Sequence, residues 1–160
     1  KTVQGDRARG FMHGVGDIKI PTDAILEGQI GADDEFFSAA RTTVSKWIKG
    51  KTASQLPFDS IICMYDILAY GAFTALREAG LKVPEDVALA GYDNFDFPLY
   101  RGLGLELTSV QQPLEAEGAK AVELLVDRIE GKQKPTRAMR LLLPPQLVIR
   151  TSCGEVETAG

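Results

Sequence analysis

The chain has 160 residues, of which 44% are hydrophobic and 25% charged, and a net charge of −4. Those values suit one ordinary globular domain. The acidic balance excludes a module that holds duplex DNA by itself, because such a module must neutralise phosphates, and no run of about 18 uninterrupted apolar residues reads as a membrane span.

In chain order, Gln4–Val15 reads as a helix with Ala8, Phe11, Met12 and Val15 on one side and Arg7 one position from that stripe. Ala24–Glu27 reads as a short strand. A helix from Asp33 to about Lys49 carries an apolar stripe of Phe36, Phe37, Ala40, Val44, Trp47 and Ile48. Then comes the most informative stretch. Ser60–Met64 is an apolar run of strand length, Leu68, Ala72, Ala75, Leu76 and Ala79 recur at helical spacing, and Val87–Ala90 is a second apolar run ended by Gly91. Gly80 sits where helices stop. Two apolar strands around one helix make a βαβ unit and imply a parallel sheet.

Such sheets bind ligands beyond the carboxyl ends of their strands. Here those positions hold Tyr65 and Asp66, then Asp93 and Asn94. The plainer alternative is that Asp66 caps its helix and Asp93-Asn94 makes a turn. Further on, Leu107–Val110 reads as a strand. Gln111-Gln112-Pro113 opens a helix whose face carries Leu114, Gly118, Ala121, Val122, Leu125 and Ile129. Met139–Leu143 and Gln146–Arg150 read as two strands broken by Pro144-Pro145. The first helix has no strand before it, so the chain is expected to be truncated at its N-terminus.

Catalytic chemistry is not legible. His13 is the only histidine, and it has no Gly-x-Ser-x-Gly elbow, zinc spacing or phosphate loop beside it. The acidic run Asp33-Asp34-Glu35 suits a helix start better than a metal site. No metal, cofactor or enzyme activity is expected. Cys63 and Cys153 are too few for a disulfide framework. They read as reduced thiols, which with the lack of a signal-peptide pattern fits the cytoplasm.

The segments CMYDILAYGA, REAGLKVPEDVALAGYDN, LTSVQQP, GAKAVELLVDRIEG and LLLPPQLVIRTSC follow one another over roughly residues 5–153. In that order they resemble the effector-binding core of the lactose-repressor (LacI–GalR) family of bacterial transcription regulators. The resemblance implies an α/β, parallel-sheet three-layer sandwich of the type I periplasmic-binding-protein kind. By it, residues 1–110 form the C-terminal effector-binding subdomain without its first strand. Residues 111–131 form a crossover helix belonging to the other subdomain, residues 132–153 return, and residues 154–160 are a tail. DNA would be held only through a helix-turn-helix outside this sequence, and the protein would be a homodimer. The helix after Pro113 would lack its natural partner and is expected to fold back or pair with another copy.

The same resemblance gives candidate ligand residues. Arg7 stands where the family places an arginine on effector oxygens, and Asp93 where an aspartate accepts sugar hydroxyls. A guanidinium supplies donors and a carboxylate only accepts, so the two are complementary towards a polyol. Asp66 matches an aspartate of the family that caps a helix or lines the pocket. Tyr65 replaces a common asparagine, and Ile30 replaces a stacking aromatic ring, so Tyr65 is expected to supply the flat face that Ile30 lacks. Phe95 and Phe97 are further aromatic candidates. Tyr70, Thr74 and Tyr100 are expected at a dimer surface, with core packing the alternative for Tyr70. The expected effector is sugar-like. A transport-type binding protein on the same fold is the alternative function.

Overall fold

The computed structural model describes residues 3–20, 24–26, 35–95, 98–132 and 140–154. Helix α1 spans Val3–Gly14, α2 Phe36–Ile48, α3 Asp66–Glu78 and α4 Leu114–Ile129. Strands β1 (Ser60–Ile62), β2 (Ala88–Asp93), β3 (Thr108–Gln111) and β4 (Gln146–Val148) form one sheet in that order. β1, β2 and β3 are parallel, as two successive crossovers require, and β4 joins antiparallel. The register Asp93↔Gln111 puts the ends of β2 and β3 side by side.

The core lies where α3 crosses the sheet. Ala69, Ala72, Ala75 and Leu76 on α3 are buried with Val87 and Leu89 of the β2 segment and with Val44 and Ile48 of α2. Small residues on α3 let α2 come close. A β-carbon on Gly71 would press on the Phe37 carbonyl oxygen and lie 2.9 Å from Ala40 Cβ. Neither the backbone nor a methyl group can swing away, so Gly71→Ala is expected to cost about 1–3 kcal/mol of overpacking. That lowers the melting temperature by roughly 2–12 °C for a chain of this size, as thermal unfolding followed by circular dichroism will read. Trp47, at helical spacing with Val44, stacks on Phe58 with ring centres 4.1 Å apart and so belongs to this packing.

Three expectations need correction. Ala24–Leu26 is a turn and exposed chain, not a strand. Arg140–Leu143 forms no strand, because its apolar run finds no neighbouring strand among the described residues; of this end of the chain, Gln146–Val148 enters the sheet. Of the two alternatives expected for helix α4, folding back is not found among the described residues, which leaves pairing with another copy. None of its residues is buried, and Val122 and Ile129 are 62% and 75% exposed. Its apolar stripe meets nothing among the described residues that could cover it.

Candidate functional site

Arg7 projects from α1 to the carboxyl edge of the sheet. Its Nη1 donates to the Met64 carbonyl at 2.5 Å, and its Nη2 lies 3.1 Å from Asp93 Oδ1. The guanidinium carbon sits 3.7 Å from the centre of the Tyr92 ring and 4.8 Å from that of Tyr65. Aromatic faces attract a cation through the ring quadrupole. Phe36 meets Tyr65 edge-on at 5.8 Å. Two hydrogen bonds and two rings therefore fix the plane of Arg7.

Asp93 ends β2, and both its protein bonds fall on one oxygen. Arg7 and Gln112 Nε2, the latter at 2.7 Å, both donate to Oδ1. Oδ2 has no hydrogen-bond partner among the described residues, and none of their buried side-chain polar atoms is left unpaired, so Oδ2 reaches solvent. Arg7 and Asp93 are each 11% exposed in their side chains. The pair is thus at the rim, with one acceptor lone-pair set still open. The backbone here is unusual: φ is +116° at Asp93 and +52° at Asn94, neither of them glycine. Such conformations persist only where the surroundings over-determine them.

Asp66 is 2% exposed and stands behind the rim rather than on it. It does not cap α3, which begins after Tyr65 with no side-chain cap bond. Its carboxylate reaches instead across the sheet, accepting from Ser109 Oγ at 2.6 Å and from the Phe95 N–H at 3.0 Å. A buried acceptor is satisfied by whichever donors surround it, and here these come from β3 and the turn after β2. Burial pushes the Asp66 carboxyl above its usual range, and the bonds from Ser109 and Phe95 pull against that. Beside it, burial and then the Asp66 charge push the Cys63 thiol up to about 12. At pH 8 very little of Cys63 would be thiolate, the reactive form. Iodoacetamide at that pH is therefore expected to label the exposed Cys153 and spare Cys63, with peptide mass mapping as the readout.

Of the residues expected at a dimer surface, Thr74 and Tyr100 are buried within the chain and Tyr70 is half-buried. Tyr100 stacks on Phe37 at 4.9 Å and on Tyr70 at 5.1 Å, and Thr74 Oγ1 donates to the Tyr70 carbonyl. Thr74 and Tyr100 are only 8% and 9% exposed, so little of either is left for a second copy. The reason is α2, whose Phe37 completes the aromatic column. Burial, then the charge of Glu35, raises the Tyr100 phenol above its ordinary range. Ile30 and Phe97 lie outside the described residues. Phe95 is exposed and contributes its N–H to Asp66. A shallow groove of about 350 Å³ along α2, lined by Arg41, Lys46, Lys49 and Glu78 among others, shares no residue with the Arg7–Asp93 rim.

Sequence reading overlooked Tyr92 and Gln112. Tyr92 stands beside Asp93 in the stretch GYDN, and Gln112 precedes the proline that opens α4. Position alone flags both; their contacts with Arg7 and Asp93 are long-range.

Comparison with known proteins identifies the family of the chain. The family described as periplasmic binding protein-like domain matches residues 2–153. The chain is 32% identical over 149 residues to the HTH-type transcriptional repressor PurR of Vibrio parahaemolyticus, covering 92% of this chain and 41% of that protein. It therefore spans about two-fifths of the length of the curated relatives it matches. Among solved structures it is similar to a LacI-family regulatory protein from Chloroflexus aggregans, with a TM-score of 0.74 and 31% identity over 94% of this chain and 50% of that one. It is also similar to a LacI-family regulator from Enterococcus faecium with bound ribose, with a TM-score of 0.72 and 25% identity over 96% and 53%.

Proposed function

Because the chain belongs to the periplasmic binding protein-like family, and within it to the effector-binding domains of LacI-type regulators, we propose that it senses a small polyhydroxylated effector, a sugar or sugar derivative. The effector controls DNA binding by a helix-turn-helix in the whole protein, which works in the cytoplasm as a homodimer. The observation that carries this reading is the half-used carboxylate of Asp93. Oδ1 is held by Arg7 and Gln112, and Oδ2 is left at the rim as an acceptor. An ionised carboxylate can only accept, so it selects ligand groups that donate, and hydroxyls do. Arg7 adds donors in a fixed plane. The bound ribose of the Enterococcus faecium structure is a ligand of this chemistry.

The role is one of binding rather than catalysis. An effector that favours one arrangement of the regulator shifts its conformational equilibrium, and the coupling between the two sites is worth roughly 1–3 kcal/mol in such proteins. Tyr65, already against Arg7 and Phe36, supplies a flat apolar face for one side of the sugar ring.

Thermal unfolding of the full-length protein with ribose, cellobiose, lactose and sucrose tests this reading, since a ligand that binds the native state alone raises the melting temperature. At least one of these sugars is expected to raise it, and Tyr65→Ala is expected to shrink that rise. A full-length protein that responds to none of them, or a Tyr65→Ala protein with unchanged sugar affinity, contradicts the corresponding statement.

A further inference from the structure

The stretch PPQLVIRTSC near the end of the chain touches neither Arg7 nor Asp93 directly, yet one of its residues reaches the turn beside them. Arg150 Nη2 donates to Asn94 Oδ1 at 2.8 Å, and Nη1 donates to the Leu107 carbonyl. We propose that Arg150 is a positioning residue for Asp93, acting through Asn94 to hold the β2 end in the geometry that meets Arg7.

Two things make this more than a surface contact. The first is that the anchor is itself fixed. The Arg150 N–H donates to Thr108 Oγ1 at 2.9 Å, and the same hydroxyl donates back to the Arg150 carbonyl at 2.9 Å. Two residues on, Ser152 Oγ donates to the Leu89 carbonyl and accepts from the Thr108 N–H. Ser152 is fully buried. The segment carrying Arg150 is thus stapled to β2 and β3 by buried bonds, and its guanidinium starts from a rigid base.

The second is that the point it holds is strained. Asp93 at φ +116° lies outside the left-handed well that asparagine tolerates, and Asn94 at +52° lies within it. Asn94 is gripped on three sides: its N–H by Ser109 Oγ at 3.0 Å, its amide nitrogen by Gln111 Oε1 at 3.0 Å, and its amide oxygen by Arg150. Only the last of these comes from outside β3. No hydrogen bond or ion pair joins Arg150 to Arg7 or Asp93 among the described residues, so any influence passes through the Asn94 turn. A planar fork suits the task, because it reaches an amide oxygen and a main-chain carbonyl from two nitrogens held at fixed positions, where a lysine has one nitrogen on a flexible stem.

The rings give a readout that mere stability would not move. Tyr92 lies 3.7 Å from the Arg7 guanidinium carbon, so its ring current displaces the Arg7 side-chain resonances from those of exposed arginines. In the full-length protein with labelled arginine, Arg150→Met is expected to bring the Arg7 signal at least halfway to the exposed-arginine position. Arg150→Lys, which keeps the charge on a single donor nitrogen, should move it less but measurably. If Arg150→Met does not fold, the lysine variant decides alone. An Arg7 signal that stays in place in the folded variants, whatever happens to their melting temperatures, overturns the proposal. The functional meaning of the inference rests on Asp93 contacting effector, but the measurement uses no ligand. An unmoved signal would refute Arg150's role and leave the effector reading intact, and a failed sugar titration would do the reverse.

Discussion

Asp66→Ala is expected to be among the most destabilising single substitutions in the chain. The carboxylate is 2% exposed and is the acceptor for two donors, Ser109 Oγ and the Phe95 N–H. An alanine takes the acceptor from both, and the Ser109 hydroxyl, which is buried, is the costlier loss. A buried donor left unpaired costs about 1–3 kcal/mol, against a total of about 5–15 kcal/mol for a domain. The melting temperature should fall by roughly 2–12 °C. Gly91→Ala attacks the same contact from the strand side, because a β-carbon there would run into Asp66 Oδ1 and lie 3.0 Å from Leu107 Cδ2. It should weaken the fold too.

The same residue gives a pH dependence. Burial raises the Asp66 carboxyl above its ordinary value of 3.8. A group with a higher pKa folded than unfolded contributes stability that is fully present below the unfolded value and lost as pH climbs through the folded one. Urea unfolding of wild type and of Asp66→Asn, compared at each pH, isolates the effect. The difference in stability should be level below about pH 3.8 and turn against wild type above it. A difference that instead grows in favour of wild type with rising pH would mean that the hydrogen bonds outweigh burial.

The second large effect is on ligand. Arg7→Met and Asp93→Ala each remove one half of the rim pair. Hydrogen bonds to a charged group contribute about 1.5–3 kcal/mol each, so the effector affinity of the full-length protein should fall roughly 10- to 100-fold per bond lost. Arg7→Met also leaves Met64 and Asp93 without a donor they have in the wild type. Calorimetric titration with whichever sugar raises the wild-type melting temperature reads the affinities. Affinity within threefold of wild type in both variants would remove the pair from the ligand site.

What could be read from sequence was what repeats locally. The period of α3 and the apolar runs of β1 and β2 gave the βαβ unit, and the polar residues after those runs gave the rim. The resemblance singled out Arg7 and Asp93, 86 residues apart, and the fold sets them 3.1 Å from each other. Apolar runs mislead where pairing depends on a neighbour: Ala24–Leu26 and Arg140–Leu143 have the composition of strands but no strand beside them among the described residues. Asp66 was misread for a related reason. Its position at a helix start suggests a local cap, whereas its donors lie 29 and 43 residues away. Tyr100 looks like a surface residue until α2 brings Phe37 against it. Gln112 and Arg150 act through contacts that no local pattern encodes.

The central claim is that the Arg7–Asp93 rim receives the effector. A crystal structure of the full-length protein with its bound sugar tests it most directly. The expected result is a sugar hydroxyl within hydrogen-bond distance of Asp93 Oδ2, with Arg7 donating to a second ligand oxygen. A sugar bound elsewhere, with Oδ2 still open to water and the Arg7 donors untouched by ligand, would contradict it.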